Sequence, residues 1–317
     1  MLVGSGEPLM APARHAPLRM LLLGGSGRLG TALHEQVPQD WTLISPPRSK
    51  LDLAQATTRD LQAWVRTSAP SVVLNAAAMA WVDECEEQPE AAEQINALAP
   101  GRLATACALE AVPLLHISTD YVFGDVNSGG PAPYAENRAA CPVQVYGSSK
   151  ARGETAVQAA GGRASVVRVS WLTEADGGSF LAFLQEQLKR DPSRVEVLTA
   201  QRSRPTLLPG LCRWLFALSE LLANGHDAPA FLHPAGGAAA TRGEWADHLL
   251  KELGYHQVEL IEQQGQATSP EHSLRATDQR APRPLDSSLD GRATRSFSQQ
   301  AGLPELDDWQ GSPPVTD

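Results

Sequence analysis

Through the first half of the chain, short apolar runs alternate with amphipathic stretches. Arg19 to Leu23 is an apolar run that stops at Gly24, and from Arg28 to Val37 the residues Leu29, Ala32 and Leu33 fall on one helical face. This reads as strand, glycine turn, helix. Trp41 to Ile44 predicts a second strand, Leu61 to Thr67 a helix, and Ser71 to Ala77 a strand with almost no polar residue. A helix around Ala91 to Ala111, a strand over Pro113 to Ser118, a helix beginning near Val145 and a strand over Ser165 to Trp171 continue the alternation. Apolar strands without a polar face, separated by helices, predict a parallel sheet covered on both sides. The expected fold class is α/β, a Rossmann-type doubly wound parallel sheet.

After residue 175 the pattern loosens. Phe180 to Lys189, Gly210 to Ala223 and Glu244 to Leu253 read as helices, Val195 to Leu198 and Phe231 to His233 as short strands, and Gln263 to Ser288 as loop. We expect a dinucleotide-binding domain over 19–175, including the strand at 164–172, and a smaller C-terminal α/β substrate domain over 176–317. Residues 1–18, broken by Gly4, Gly6, Pro8, Pro12 and Pro17, are expected to be a disordered leader and not a signal peptide.

Composition narrows the partners. The chain has 317 residues and a net charge of −10, so a nucleic acid or an anionic membrane would find no basic footprint. No apolar run is long enough to span a bilayer. Cys85, Cys107, Cys141 and Cys212 are scattered, without metal-ligand spacing, and read as reduced thiols of a cytoplasmic protein. No metal site is expected, and the pairing of two copies into a homodimer stays open.

The candidate chemistry starts at Gly24-Gly25-Ser26-Gly27-Arg28-Leu29-Gly30, between the first strand and the first helix. Glycines there allow a tight turn, a close approach of backbone to a pyrophosphate, and an exposed helix N-terminus. After the second strand come Arg48, Ser49 and Lys50 with no acidic residue placed for the adenosine ribose, which favours NADPH modestly over NADH. Ser118-Thr119 ends a buried strand, and Tyr146 with Lys150 shares one helix face at i and i+4. A cation near a phenol stabilises its phenolate, so this pair suits acid-base work.

Gly24 to Gly30, Asn75 to Ala78, Ser118-Thr119-Asp120-Tyr121-Val122-Phe123 and Val145 to Lys150 together resemble the extended short-chain dehydrogenases, specifically the dTDP-4-dehydrorhamnose reductases. Arg168 to Trp171, Gln201 with Pro205-Thr206, Arg283-Pro284 with Ser287 and Leu289, and Leu306 to Trp309 extend the likeness over nearly all of the chain after Arg19. The resemblance implies Tyr146 as proton donor to a ketone, Thr119 as its hydrogen-bonding partner, and Lys150 as holder of the nicotinamide ribose and depressor of the tyrosine pKa. It implies Arg28, Leu29, Asp52, Leu53, Ala76, Ala77 and Ala78 as cofactor lining. Gly24, Gly27, Gly30, Arg48 and Ser118 are expected to line the cofactor as well, besides Tyr146 and Lys150. On the substrate side it implies Trp171 packing on the substrate near Asp120 and Gln201. A guanidinium can hold a diphosphate by paired hydrogen bonds, so either Arg283 or Arg204 is expected as its anchor. Tyr121 stands where related dehydratases have glutamate, which suits ketone reduction better than loss of water.

Ala200, Arg204, Leu285 and Asp286 depart from the family's habit, and a closing helix after Trp309 is expected to be missing. The implied activity is NAD(P)H-dependent reduction of a nucleotide-linked 4-keto sugar, dTDP-4-dehydrorhamnose to dTDP-rhamnose. Two alternatives stay open: an NADP-binding regulatory subunit similar to the methionine adenosyltransferase beta subunit, and a ketoreductase that tailors a secondary metabolite.

Overall fold

The computed structural model describes residues 17–124, 127, 130–174, 177–198, 201–263 and 281–311. The leader over 1–16, Ala200, most of the stretch from Gln263 to Ser288, and the segment after 311 lie outside the described residues.

The six-stranded sheet is parallel throughout. It contains β1 (Leu18–Leu23), β2 (Trp41–Ile44), β3 (Val72–Asn75), β4 (Leu114–Thr119), β6 (Ala164–Val169) and β11 (Phe231–Leu232), in the order β2-β1-β3-β4-β6-β11. Period-two alternation explains its two covers. Met20 and Leu22 face one core with α1 (Arg28–Glu35) and α8 (Leu208–Ala223). Leu21 and Leu23 face the other, with α2 (Thr58–Ser68), α5 (Ala99–Leu109) and α6 (Val145–Ala159). Strand order reverses between β1 and β3, and Leu23 pairs with Asn75 there, so the loops that begin at Gly24 and Ala76 lie side by side. Such a switch point is where open α/β sheets bind ligands.

The stretch read as one helix around Ala91 to Ala111 is α4 (Pro89–Glu93), a π-turn (Gln94–Leu98) and α5 in succession, preceded by α3 (Val82–Glu87). The π-turn has a cause: Asn96 hydrogen-bonds Met79 through both its amide oxygen (2.9 Å) and nitrogen (3.0 Å), and donates to Ser149 (3.1 Å). π-turns inside α-helices recur at functional sites. The strand expected to run to Trp171 ends at Val169, because Trp171 takes a left-handed conformation (φ +40°). The chain resumes as β7 (Leu172–Thr173), which pairs with β10 (Thr206–Leu207).

After residue 176 the chain is used in two places. The apolar helix α8 and the strand β11 return to the large sheet. A separate core forms where α7 (Gly178–Arg190) and α9 (Arg242–Glu252) cover the pair β8 (Arg194–Leu198) and β13 (Glu259–Gln263), around Leu184, Val195, Trp245 and Trp309. Three further short strands complete the picture. β9 (Arg202–Ser203) pairs with β12 (Ala240–Thr241), and β5 (Tyr134–Ala135) with β14 (Leu289–Asp290). α10 (Arg292–Gln300), absent from the sequence reading, adds Phe297 to the first core and bonds Trp214 through Ser298. No helix among the described residues is long and apolar enough to cross a membrane, and all four cysteines are free and buried.

Candidate active site

The glycine turn fixes the first wall. Gly24 has φ +85°, and a Cβ there would lie 2.5 Å from the Ala77 nitrogen, so only glycine lets the turn lie against the end of β3. Ser26, Gly27 and Arg28 remain exposed at the start of α1, which leaves the helix N-terminus accessible to an anion. Arg28 reaches across to the carbonyl of Leu172 (3.0 Å) and to Glu174. Leu29 and Leu53 are core residues, one in each cover of the sheet. Ala76 and Ala77 are half-buried beside the turn, and Ala78 is exposed. Arg48 is 79% exposed and pairs loosely with Asp52 (3.6 Å).

The second wall joins β4 to α6. His116 and Ser118 are two residues apart on a strand, and Lys150 and Glu154 four apart on a helix, so both pairs advance by about 6–7 Å and meet. Lys150 is 1% exposed, donates to the Ile117 carbonyl (2.7 Å) and lies 3.4 Å from His116 Nε2. Ser118 donates to Glu154 (2.6 Å), which also receives Arg168 through both oxygens (3.0 and 2.7 Å). Ser118 is thus bonded into α6. Asn75 holds His116 Nδ1 (3.1 Å) and takes the Ala77 N–H on its oxygen (3.1 Å), which ties this layer to the glycine turn.

At the end of β4, Thr119 lies beside Tyr146, and the Tyr121 ring meets the Tyr146 ring edge-on at 6.1 Å. Burial pushes the Tyr146 phenol above its ordinary value; Thr119 opposes this and the nearby Asp120 adds to it. The Lys150 ammonium is directed at the Ile117 carbonyl. Burial pushes Lys150 itself down to about 8, against the negative charge of Glu154. It also pushes His116 well down, with Lys150 as a second cause.

The expected substrate residues divide. Asp120 (2% exposed) and Gln201, which lies beside Tyr121, belong to the surroundings of Thr119 and Tyr146. Both carboxylate oxygens of Asp120 are engaged: one accepts from Ser203 (2.7 Å) and Ser287 (2.5 Å), the other from Thr119 (3.2 Å). Trp171 lies under the Arg242 guanidinium at 3.8 Å, and the charge of Arg242 reaches Tyr121. The two expected diphosphate anchors are held by the chain itself. Arg204 donates to the Gly237 carbonyl (2.7 Å), and Arg283 grips both oxygens of Asp83 (2.9 and 3.0 Å). Of the departures, Leu285 is 67% exposed and Asp286 accepts from the Ser288 N–H.

The sequence reading missed His116, Glu154, Ser203 and Arg242, and it gave Arg168 and Ser287 no role in the site. Polar residues at alternate positions of an apolar strand, and an acid one turn beyond Lys150, were the available signals for the buried layer. A cavity of about 550 Å³ lined by Asn137, Arg138, Cys141, Asp290 and Arg292 contains none of these catalytic candidates.

A switch-point glycine turn beside a Thr-Tyr-Lys constellation defines an extended short-chain dehydrogenase/reductase, an NAD(P)-dependent oxidoreductase on a Rossmann-type sheet. Comparison narrows this. The family model "RmlD substrate binding domain" matches residues 18–312. A dTDP-4-dehydrorhamnose reductase of Mycolicibacterium smegmatis is 31% identical over 293 residues, 92% of this chain and 83% of the relative. One from Streptomyces griseus is 32% identical over 296 residues, 93% and 91% of the two chains. The crystal structure of the Bacillus anthracis dTDP-4-dehydrorhamnose reductase in complex with NADP shares the fold, with TM-score 0.75, 23% identity and coverage of 93% of this chain and 96% of that one. The chain belongs to the RmlD, or dTDP-4-dehydrorhamnose reductase, family.

Proposed function

We propose that the protein reduces dTDP-4-dehydrorhamnose to dTDP-rhamnose with a reduced nicotinamide dinucleotide, NADPH ahead of NADH. The observation that carries this reading is the placement of Thr119 beside Tyr146 at the end of β4, one helical turn from Lys150 and beside the glycine turn. The relatives' activity supports the substrate. The residues present fit the cofactor: the glycine turn admits no Cβ at Gly24 and leaves the start of α1 exposed for a pyrophosphate. Arg48 and Lys50 are the cations available beyond β2 for a 2′-phosphate.

When bound, the reduced nicotinamide supplies a hydride to C4 of the sugar. Tyr146 gives its proton to the ketone oxygen, so one hydride and one proton turn the carbonyl into an alcohol. Thr119 hydrogen-bonds the same oxygen, and Lys150 is the group suited to hold the nicotinamide ribose. Trp171 and Gln201 belong to the sugar side. Arg242 stacks on Trp171 at that side.

Steady-state assays of dTDP-4-dehydrorhamnose against untethered ketones test the reading, with Tyr146→Phe as the chemical control. The nucleotide sugar is expected to be the faster substrate, and Tyr146→Phe to lower its turnover by roughly 10²–10⁴ while cofactor binding survives. Faster reduction of an untethered ketone would overturn the substrate. Wild-type turnover by Tyr146→Phe would overturn the proton donor.

A further inference from the structure

Asp120 is a buried carboxyl that the reduction itself does not use. It opens the turn that follows β4, and its three hydrogen-bonding partners are all hydroxyls: Ser203, Ser287 and Thr119. Thr119 has one proton and two lone pairs. Its oxygen accepts the Tyr121 N–H (3.2 Å) and also meets Tyr146. An ionised carboxylate only accepts, so while Asp120 is charged the single Thr119 proton is directed at Asp120. In that state Thr119 has no proton for a ketone oxygen.

Resting on the proposed role of Thr119 and Tyr146, we propose that Asp120 is a positioning residue whose protonation reverses the Thr119 hydroxyl, turning its proton from Asp120 toward the ketone. A neutral Asp120 donates to the Thr119 oxygen. The Tyr121 N–H and the Asp120 O–H then fill both lone pairs, and the Thr119 proton is released toward Tyr146 and the substrate. Ser203 and Ser287 fix which oxygen is protonated, since both donate to the same carboxylate oxygen and leave the other for Thr119. Both serines lie in the C-terminal half, so the setting of the hydroxyl depends on that half being closed onto β4.

Burial raises the Asp120 carboxyl to about 6, against the three hydroxyls that hold it down, which places the change within reach of ordinary assay conditions. The neighbouring titratable and charged groups are Tyr121 on the same turn, Tyr146 on α6, Cys85 on α3, Arg242 on α9 and the Arg283–Asp83 pair. Arg202 and Asp286, adjacent to the two serines, turn instead to Ala239 and Glu244 and to the Ser288 N–H. Burial and hydroxyl bonds, not an ion pair, set the Asp120 equilibrium.

The test is the pH profile of kcat at saturating dTDP-4-dehydrorhamnose and reduced cofactor. Wild-type kcat is expected to fall by at least about threefold as pH rises through the Asp120 titration. In Asp120→Asn the two serine donors require the amide oxygen at their end, so the amide N–H₂ falls on Thr119 and the profile becomes flat. Ser203→Ala keeps the carboxyl but removes a donor to its charged form, so the inflection moves to higher pH. An unchanged inflection in both variants overturns the proposal, and a uniform loss of rate with the inflection retained assigns Asp120 a structural role only. Difference infrared spectroscopy of the resting protein needs no turnover. A protonated-carboxyl band that grows toward low pH and is missing in Asp120→Asn supports the proposal, and its absence from the wild type overturns it. Failure of Tyr146→Phe to lower the rate would instead overturn the underlying reaction.

Discussion

Burial acts on Lys150 and Asp120 in the same sense, drawing each toward neutrality: the lysine down to about 8, the carboxyl up to about 6. Neither has a full ion-pair partner, since Lys150 faces a carbonyl and a neutral histidine ring, and Asp120 faces hydroxyls. Charged groups held without a counter-ion are costly, and they persist where chemistry uses them. Arg48 is the opposite case, exposed and loosely paired, so its replacement leaves the fold alone. Arg48→Ala is expected to weaken NADPH and spare NADH, because a charge-assisted contact to the extra phosphate contributes about 1.5–3 kcal/mol. Paired cofactor titrations of the wild type and the variant check this, and equal loss for both cofactors would remove Arg48 from the site. The glycine, tyrosine and lysine positions were legible in the sequence because their spacing has a local meaning. The use of Arg283 was not, because its partner Asp83 lies 200 residues away.

Among the elements, α6 decides the site, and its position depends on one close approach. A Cβ on Gly153 would lie 2.1 Å from the Asn96 carbonyl oxygen, so α6 meets the π-turn backbone to backbone. Gly153 lies between Lys150 and Glu154, the two residues that α6 sends toward β4. Gly153→Ala is expected to push α6 off the π-turn, at a cost of about 1–3 kcal/mol for the overpacked contact, and to lower turnover with it. Thermal unfolding and kcat should fall together, and an unchanged rate in a destabilised protein would separate α6 position from catalysis. The apolar runs predicted the helix itself. The interruption at Gln94–Leu98 escaped them, because the Met79 loop that captures Asn96 carries no periodic signal.

At the scale of the molecule, the C-terminal half is fastened to the sheet by buried polar ties. One is the ion pair of Arg283 and Asp83, at 5% and 10% side-chain exposure, and the chain just beyond Arg283 brings Ser287 to Asp120. Asp83→Asn leaves a buried guanidinium without its counter-charge and is expected to cost about 3–5 kcal/mol, whereas replacing both partners by apolar residues should restore most of it. Urea unfolding of the single and double variants measures this, and a near-neutral single variant would show that the tie is not load-sharing. The amino-acid sequence by itself determined the parallel α/β sheet, the glycine turn and the Tyr146-Lys150 face, because strand and helix periods and a four-residue spacing act over a few residues. The tertiary structure alone decided that α8 and β11 return to the large sheet and that Ser118 belongs to Glu154. It alone gave Asp120 to two serines of the other half and left Arg242, not Arg204 or Arg283, stacked on Trp171. Those outcomes depend on which buried polar groups must find partners once the chain is compact, and the partners are set by long-range packing that no local pattern encodes.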